Sequence, residues 1–304
     1  DPSAYDRGAG QNDFAMTSPR HLLTAWNLRP DKDLGQNFLI HSATCEAIAK
    51  ACDVTPENRV LEIGAGLGAL TLPLARIAGS VIAVEKDPKL AALLKTELAV
   101  NRLQNVTLLE TSILTLDLTP LAKDAPGGLI VAGNLPYNIS SQILIRLMAF
   151  RSLIRHAVVM LQKELAQRIM EPPGSRDYGR ISAMLQYCAD MRKVMDVHAD
   201  QFYPKPAIDS MVLRLRFKAR PEVPADDEDL LFRVIKAAFG QRRKTLKNAL
   251  QSSELHLDGL RAEEALTLSG IDPSRRAETL GVDEFVTLSN QLGRMDGENK
   301  ETGS

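Results

Sequence analysis

The chain has 304 residues, of which 44% are hydrophobic and 25% are charged, and this length predicts two domains rather than one. Its 37 basic and 38 acidic residues give a net charge of -1, so the overall charge does not indicate a nucleic-acid partner. Three cysteines are too few for a disulfide framework and lack zinc-site spacing, which argues against a disulfide-rich secreted protein and predicts no metal.

The two ends of the chain are polar. The N-terminal segment lacks the apolar centre of a signal peptide, and no stretch approaches the roughly 18 apolar residues of a membrane span. We therefore expect a soluble cytoplasmic protein. Because the chain does not begin with Met, we leave residues 1–19 out of the fold prediction and expect residues 1–33 to be a partly disordered leader.

Hydrophobic periodicity predicts alternating helices and strands over the first half of the chain. A loop at 34–39 precedes a helix at 42–51. Buried strands follow at 59–63, 81–84, 106–109 and 129–132, and helices lie between and after them at 70–77, 90–98 and 139–150. This alternation predicts an α/β fold, a doubly wound parallel sheet with helices on both faces.

The second half of the chain changes character near residue 226. Strands are predicted at 157–161 and 211–217, and helices at 163–170 and 181–189. An acidic run at 226–229 follows two prolines and marks a helix start, after which the pattern is helical throughout. We therefore expect a sheet domain at 34–222, a small helical domain at 223–296 and a polar tail at 297–304.

Three glycines, Gly64, Gly66 and Gly68, stand where the first buried strand turns into a helix. Glycine there lets the backbone approach a nucleotide-like ligand without a Cβ clash. Glu85 closes the next strand about 20 residues later, where its carboxylate can accept ribose hydroxyl protons. Because Gly64, Gly66 and Ala69 also satisfy the dinucleotide fingerprint, a dehydrogenase is an open alternative, and so is a turn that binds nothing.

Glu62 precedes the first glycine by two residues and completes the pattern Glu-x-Gly-x-Gly, which is more typical of methyltransferases than of dehydrogenases. A carboxylate at this position can order the loop or attract a cationic amino group of the cofactor. An ordinary salt bridge or an interaction with the helix dipole explains Glu62 equally well.

The segment from Asn134 to Tyr137 follows the fourth strand, at the edge where parallel sheets bind ligands. These residues suit the methylation of an adenine amine, which is a poor nucleophile because its lone pair is delocalised into the ring. The Asn134 oxygen and a backbone carbonyl can accept its two N–H groups as positive charge develops, while Pro136 holds the turn. Tyr137 offers a face on which a flipped base can stack. The alternative is a structural Asn-x-Pro turn with a packed Tyr.

Seven ordered segments share a likeness to one family. They are LGQNFL at 34–39, EIGAGLG at 62–68, GNLPYNIS at 133–140, MLQKE at 160–164, YGRIS at 178–182, FYPKPAIDS at 202–210 and FGQRRKTLKN at 239–248. Together they resemble the KsgA-type family of small-subunit ribosomal RNA adenine dimethyltransferases. The resemblance implies S-adenosylmethionine as cofactor and an assembling small ribosomal subunit as partner. It also implies that two adjacent adenines near the 3′ end of the RNA each receive two methyl groups. Nothing in the sequence argues against a monomer.

The same resemblance assigns roles to individual residues. The catalytic group would be Asn134, Leu135, Pro136, Tyr137 and Phe202, with Phe202 as a second aromatic wall facing the base opposite Tyr137. The cofactor group would be Asn37, Leu39, Gly64, Gly66, Glu85, Ser112 and Asn134. An ordinary core position is the alternative for Phe202.

Ser112 departs from the family pattern, which usually has an acidic residue after the third strand to bind the adenine of the cofactor. A serine can still accept one hydrogen bond. Neighbouring Glu110 or a slipped register could supply the contact instead.

Two basic clusters could meet phosphates. Arg242, Arg243, Lys244 and Lys247 lie at a predicted helix start, and we expect this cluster to bind RNA. Arg214, Arg216, Lys218 and Arg220 alternate toward the predicted domain boundary. Either cluster could instead be a solvated face, and the second could be the solvent side of an edge strand.

Two alternatives to the small-subunit enzyme stay open. One is the antibiotic-resistance type of large-subunit RNA methyltransferase, which usually has Ile where this chain has Leu135. Leu135 and the Arg242-Arg243-Lys244 run favour the small-subunit enzymes. The other is a non-catalytic RNA-binding assembly factor that keeps the cofactor pocket.

Overall fold

The computed structural model describes residues 17–31 and 35–302. Residues 1–16 and 32–33 of the predicted leader, Leu34 of the LGQNFL segment and the last two residues of the tail lie outside the described residues.

The secondary structure follows the predicted alternation. The first ten elements are α1 (Pro19–Ala25), β1 (Phe38–Leu39), α2 (Ser42–Ala51), β2 (Arg59–Ile63), α3 (Thr71–Ile77), β3 (Ser80–Glu85), α4 (Pro88–Val100), β4 (Val106–Glu110), α5 (Thr119–Ala122) and β5 (Leu129–Asn134). The next seven are α6 (Ser140–Ala149), β6 (Ile154–Gln162), α7 (Lys163–Met170), α8 (Arg180–Cys188), β7 (Ala189–Val197), β8 (Phe202–Tyr203) and β9 (Ser210–Phe217). The chain continues with α9 (Glu228–Phe239), α10 (Leu246–Gln251), α11 (Gly259–Leu268) and α12 (Val282–Thr302).

A seven-stranded sheet has the order β4-β3-β2-β5-β6-β9-β7. The strands from β4 to β6 are parallel, and β9 and β7 are added in antiparallel pairs. The chain builds outward from β2 to β4 on one side and from β5 to β6 on the other. This confirms the doubly wound α/β fold, and it places a topological switch point, where such sheets bind ligands, between β2 and β5.

Some features of the sheet differ from the sequence prediction. Phe38 and Leu39, expected in a loop, form β1, which pairs with β8. Strand β7 is not predicted because a register shift between Lys193 and Met195 interrupts the period of two that identifies a strand. The alternative that places the charges at 214–218 on an edge strand is wrong, because β9 lies between β6 and β7.

The C-terminal helices begin with a well-formed cap. The Asp227 side chain accepts a hydrogen bond from the Leu230 N–H, as expected for an N-cap residue. Apolar packing nevertheless continues across this point, because one core cluster contains residues of the sheet and of α9 to α12. Tyr178, Phe239 and Phe285 form a chain of ring contacts through it, with centroid distances of 5.9 and 5.8 Å. The division into a 34–222 and a 223–296 domain stays a prediction.

Helix α1 lies within the segment predicted to be a leader. Its residues Leu22 and Leu23 are buried in a cluster with Phe38, Leu67 and Leu90. Arg20 places its guanidinium carbon 5.0 Å from the centre of the Tyr203 ring, a cation–π distance. Among the helices of residues 17–31 and 35–302, none is long and apolar enough to cross a membrane.

Candidate active site

A cleft of about 210 Å³ lies at the carboxyl ends of β2 to β5. Most of its walls come from five segments of the chain, within 35–39, 62–70, 84–86, 111–113 and 134–139, and Leu90 and Ile143 complete them. The cleft is therefore at the switch point, and the predicted cofactor residues Asn37, Leu39, Gly64, Gly66, Glu85, Ser112 and Asn134 all line it.

The glycine loop has a backbone shape that favours glycine. Gly64 and Gly66 have φ values of 71° and 54°, in the left-handed region that side chains disfavour. The N–H groups of Gly64 and Ala65 both donate to the Val84 carbonyl, at 2.9 and 3.1 Å, which ties the loop to β3. A Cβ on Gly66 would lie 3.3 Å from the Phe38 ring, so the loop also packs closely against β1.

Glu85 is held by two backbone donors. Its Oε2 accepts from the Gly66 N–H and its Oε1 from the Asp87 N–H, each at 2.8 Å. Burial raises the pKa of Glu85, and these two N–H groups oppose that shift. Because each carboxylate oxygen can accept more than one hydrogen bond, Glu85 keeps acceptor capacity for ribose hydroxyls.

Glu62 is fully buried at the inner end of the cleft. Burial raises its pKa to about 8; Thr71 lowers the pKa, and the Glu85 carboxylate raises it further. Its Oε2 has no hydrogen-bond partner, and no basic side chain forms an ion pair with it in the part of the chain that the structure describes. The salt-bridge interpretation of Glu62 is therefore not supported. A cationic ligand group beside this acid would favour its ionised form and lower its pKa, and the unused oxygen could accept a hydrogen bond from that group.

Asn134 presents an unused acceptor to the cleft. Its Nδ2 donates to the Asn37 carbonyl at 2.8 Å. Since a carbonyl only accepts, this bond fixes which way the amide faces and leaves Oδ1 as the free end. Oδ1 is buried and has no partner among the described residues. A buried acceptor without a partner is costly, so this oxygen suits an N–H donor from a ligand.

The turn after Asn134 packs directly on the glycine loop. A Cβ on Gly64 would lie 3.5 Å from the Asn134 carbonyl oxygen and 3.6 Å from Cδ of Pro136. The Pro136 carbonyl already accepts from the Ile139 N–H at 3.2 Å and the Ser140 hydroxyl at 2.8 Å. Leu135 donates its N–H to the Met160 carbonyl. The Leu135 carbonyl is therefore a better candidate than the Pro136 carbonyl for a second acceptor toward an amine.

Tyr137 is half-buried and lines the cleft. Its hydroxyl and that of buried Ser210 lie 2.6 Å apart and share a hydrogen bond. Burial raises the pKa of Tyr137, and the bond to Ser210 lowers it. The hydroxyl is therefore an anchor that sets the direction of the ring. This contact could not be predicted from the sequence, because Ser210 is far along the chain and a serine in a turn has many uses.

Phe202 does not line the cleft. Only 3% of its surface is exposed, and it packs in the same apolar cluster as Leu39 and Val212. It also faces Leu39 across the β1–β8 pair. The ring therefore lies in the core behind a residue that lines the cleft, and a role as the second aromatic wall stays a prediction.

Ser112, and not Glu110, is at the cleft. The Ser112 hydroxyl accepts from the Leu114 N–H at 3.3 Å. Glu110 is exposed and forms an ion pair with Lys95 at 2.6 Å. Thr111, which the sequence analysis did not single out, also lines the cleft.

The loop at 35–39 is tied to the cofactor end of the sheet. The Gln36 side-chain amide donates to the Asp87 carboxylate at 3.0 Å, and Asp87 is the N-cap residue of α4. Only the assembled structure shows this contact. Across the described parts of the chain, no group of three or more His, Cys, Asp or Glu residues could hold a metal ion.

The predicted RNA-binding cluster divides into two parts. Arg242, Arg243 and Lys244 are exposed in the turn between α9 and α10, just before the N-cap residue Thr245. Lys247, on the first turn of α10, forms an ion pair with Glu263. Three cations are therefore open to an anionic partner, and the fourth is already engaged.

Comparison with known proteins places this geometry in context. A family model described as ribosomal RNA adenine dimethylase matches residues 27–293. The chain is 46% identical to a ribosomal RNA small subunit methyltransferase A from Desulforapulum autotrophicum, over 93% of this chain and 99% of that relative.

Two solved structures have similar folds. A dimethyladenosine transferase from Plasmodium falciparum gives a TM-score of 0.69 at 23% identity, covering 84% of this chain and 98% of that one. The 23S rRNA methyltransferase ErmE gives a TM-score of 0.60 at 25% identity, covering 84% of this chain and 99% of that one.

Proposed function

Because this chain belongs to the ribosomal RNA adenine dimethylase family, we propose that it methylates the N6 amines of two adjacent adenines near the 3′ end of small-subunit ribosomal RNA. S-adenosylmethionine would be the methyl donor, and N6,N6-dimethyladenosine in the assembling small subunit would be the product. The high identity to proteins named for the small subunit favours this substrate over the large subunit.

The residues of the cleft fit the proposed donor. S-adenosylmethionine supplies an electrophilic methyl group on a positively charged sulfur. Glu85 would accept the ribose hydroxyls, and the glycine loop at 64–66 would allow close approach of the ligand. Ser112 would contact the adenine end of the donor, and Glu62 would attract its cationic amino group.

The unpartnered Oδ1 of Asn134 is the observation that carries the proposal. In the free amine the nitrogen lone pair is delocalised into the adenine ring. Acceptance of its N–H groups by Asn134 Oδ1 and the Leu135 carbonyl would favour a tetrahedral nitrogen, with the lone pair directed away from these oxygens. The same two oxygens would stabilise positive charge on the nitrogen as the new bond forms.

Tyr137 would hold the flipped base by stacking on its ring, whose direction the Ser210 hydroxyl sets. No side-chain base is required. A methylated exocyclic nitrogen is acidic enough to lose its proton to water, and a neutral amine is then ready for the second transfer.

The test is a transfer assay with labelled S-adenosylmethionine and small ribosomal subunits that lack the modification. Large subunits are the matched substrate control. We expect label in the small subunits, recovered as N6,N6-dimethyladenosine after digestion to nucleosides. Label in the large subunits alone, or no label in either, would contradict the proposed function.

A further inference from the structure

A second concave surface lies at the opposite end of the sheet from the cleft. The cleft is at the carboxyl ends of β2 to β5, whereas this surface surrounds the amino end of β6 and the end of its antiparallel neighbour β9. It is an open groove of about 1050 Å³. We call it the basic groove, and it is lined by residues within 149–156, 190–192 and 214–219 together with Asp53.

The basic groove concentrates positive charge in a chain that is nearly neutral. Six cationic side chains line it: Arg151, Arg155, Arg192, Arg214, Arg216 and Lys218. The lining itself has two carboxylates, Asp53 and Asp190, so its formal charge is +4 with His156 neutral. Two further carboxylates outside the lining, Glu228 and Glu222, pair with Arg151 and Lys218. The whole chain has a net charge of -1. A concave surface with one dominant sign of charge focuses the field on an approaching anion.

Half of these cations are already engaged. Arg151 forms an ion pair with Glu228, Arg214 lies 3.6 Å from Asp53, and Lys218 lies 3.5 Å from Asp190. These three form the inner framework of the groove.

The other half are open to a ligand. Arg155, Arg192 and Arg216 are exposed, and none has an ion-pair partner within the described ranges. A guanidinium presents several N–H donors in a planar fork, which matches the oxygens of a phosphate group.

The strand register adds a second observation. Arg192 on β7 lies directly opposite Arg214 on β9. Like charges in directly opposed positions of a β-pair are destabilising. Asp53 offsets part of that repulsion through Arg214, and an anion bound over both side chains would offset more of it.

Protection of the free edge of the sheet would explain Arg192 alone, because β7 is the last strand. Arg155 and Arg216 belong to interior strands. Arg216 lies directly opposite Asp190 on β7, but that carboxylate is already paired with Lys218. An anionic ligand accounts for all three.

We propose that the basic groove binds the sugar-phosphate backbone of a second segment of the substrate ribosomal RNA, distinct from the segment whose adenines enter the cleft. This inference rests on the proposed function, which supplies an RNA large enough to reach both ends of the sheet. Contacts of this kind position the RNA without reading its sequence, and they weaken as salt rises.

The first experiment removes two of the open cations. Arg192→Ala combined with Arg216→Ala should weaken binding to unmodified small subunits and lower the log-log salt slope by about 1.4 to 1.8, from about 0.7 to 0.9 per phosphate contact. The single-turnover rate at saturating subunits and the affinity for S-adenosylmethionine should stay at wild-type values.

Two matched double variants serve as controls. Arg192→Lys with Arg216→Lys keeps the charge and should retain most of the wild-type slope. Arg233→Ala with Arg294→Ala removes the same charge from exposed positions on α9 and α12, and should leave the slope unchanged. A wild-type slope in the groove variant would overturn the inference.

A tethered probe tests whether RNA lies at the groove. The three native cysteines are buried, so Arg192→Cys would introduce an exposed thiol for attachment of an iron chelate that cleaves nearby RNA. We expect cuts in the small-subunit RNA at positions different from those produced by the same chelate on Arg243→Cys. No cuts from position 192 would mean that the groove faces another partner, such as an acidic protein, and would reject the inference.

Failure of the inference is distinguishable from failure of the proposed function. If the wild-type protein methylates small subunits while both groove experiments are negative, only the groove assignment falls. If the wild-type protein neither binds nor methylates small subunits, both proposals fall together.

Discussion

The two ends of the central sheet are built in different ways. At the carboxyl ends, the side chains that face the cleft are held by buried partners: Glu85 by two backbone N–H groups, Asn134 by the Asn37 carbonyl and Tyr137 by Ser210. At the amino end of β6, the open arginines of the basic groove are exposed and unanchored. Methyl transfer needs atoms fixed in position, whereas contact with an RNA backbone needs charge.

This contrast predicts two kinds of variant. Changes in the cleft should alter rate or cofactor affinity and leave the salt dependence of RNA binding unchanged. Changes in the basic groove or in the predicted RNA-binding cluster should alter the salt dependence of RNA binding and leave the transfer rate and the cofactor affinity unchanged.

The largest effect is expected at Asn134, and it tests the cleft side of the contrast most directly. Asn134→Ala removes the acceptor for the target amine, so the single-turnover rate with saturating donor and subunits should fall by about 100-fold or more. The affinity for S-adenosylmethionine, measured by calorimetry, should change far less. A wild-type transfer rate would make Asn134 a turn residue beside the cleft.

Glu85→Ala should come next. Hydrogen bonds to a charged acceptor are worth roughly 1.5 to 3 kcal/mol, so calorimetry should show S-adenosylmethionine binding weakened by about 10-fold to 100-fold. Glu110→Ala is the matched control. Glu110 occupies the position on β4 next to Glu85 on β3, but it lies outside the cleft. Equal affinities in both variants would remove Glu85 from the cofactor site.

Glu62 should make stability depend on pH in a direction opposite to that of most acids. The pKa of Glu62 is about 8 in the folded protein and near its ordinary value of 4.5 when unfolded. Between these values the folded state holds the extra proton, so the free energy of unfolding falls as pH rises, by at most about 1.4 kcal/mol per pH unit.

Glu62→Gln should remove that slope. Denaturant titrations at pH 5 and pH 8 should therefore show the Gln variant gaining stability relative to wild type at the higher pH. Glu57→Gln, at an exposed position, should run parallel to wild type. Parallel curves for Glu62→Gln would show that the buried carboxyl does not titrate in this range.

A smaller effect is expected when the Tyr137–Ser210 bond is broken. Tyr137→Phe keeps the stacking ring and loses one neutral hydrogen bond, worth about 0.5 to 1.5 kcal/mol, so it should retain most activity. Ser210→Ala breaks the same bond from the other side. If the bond acts only by directing the ring, the double variant should be no slower than the slower single variant, whereas Tyr137→Ala should be much slower.

The smallest effect separates members of the predicted RNA-binding cluster. Arg243→Ala with Lys244→Ala should lower the salt slope of subunit binding by about 1.4 to 1.8 and leave the affinity for S-adenosylmethionine unchanged. Lys247→Ala should change the slope little, because Lys247 is already paired with Glu263. A slope unchanged in the double variant would mean that the turn faces solvent.

Local patterns in the sequence were sufficient for much of the fold. Strands β2, β3 and β5 are short buried runs and β4 is a short apolar run, so their positions and that of the glycine loop follow from periodicity and turn residues, to within two residues at each end. Strand β7 was missed because its bulge breaks the alternation that identifies a strand.

Contacts between residues far apart in the chain could not be predicted from local sequence patterns. The sequence predicts Asn134 as an acceptor, but it does not show that the Asn37 carbonyl decides which end of the amide faces the cleft. The engagement of Lys247 by Glu263 depends on how two helices pack. The basic groove joins residues from four separate stretches of chain, so its charge exists only after folding.

One hydrophobic core runs from the sheet into α9 and α12. It fixes the distance between the turn at 241–244 and the cleft. The exposed turn at 241–244 and the cleft belong to one packed body, so the span between them cannot stretch or bend without disrupting the core. An RNA that rests on that turn would meet the cleft at one set reach along its fold. The distance from that turn would then set which adenines reach the cleft.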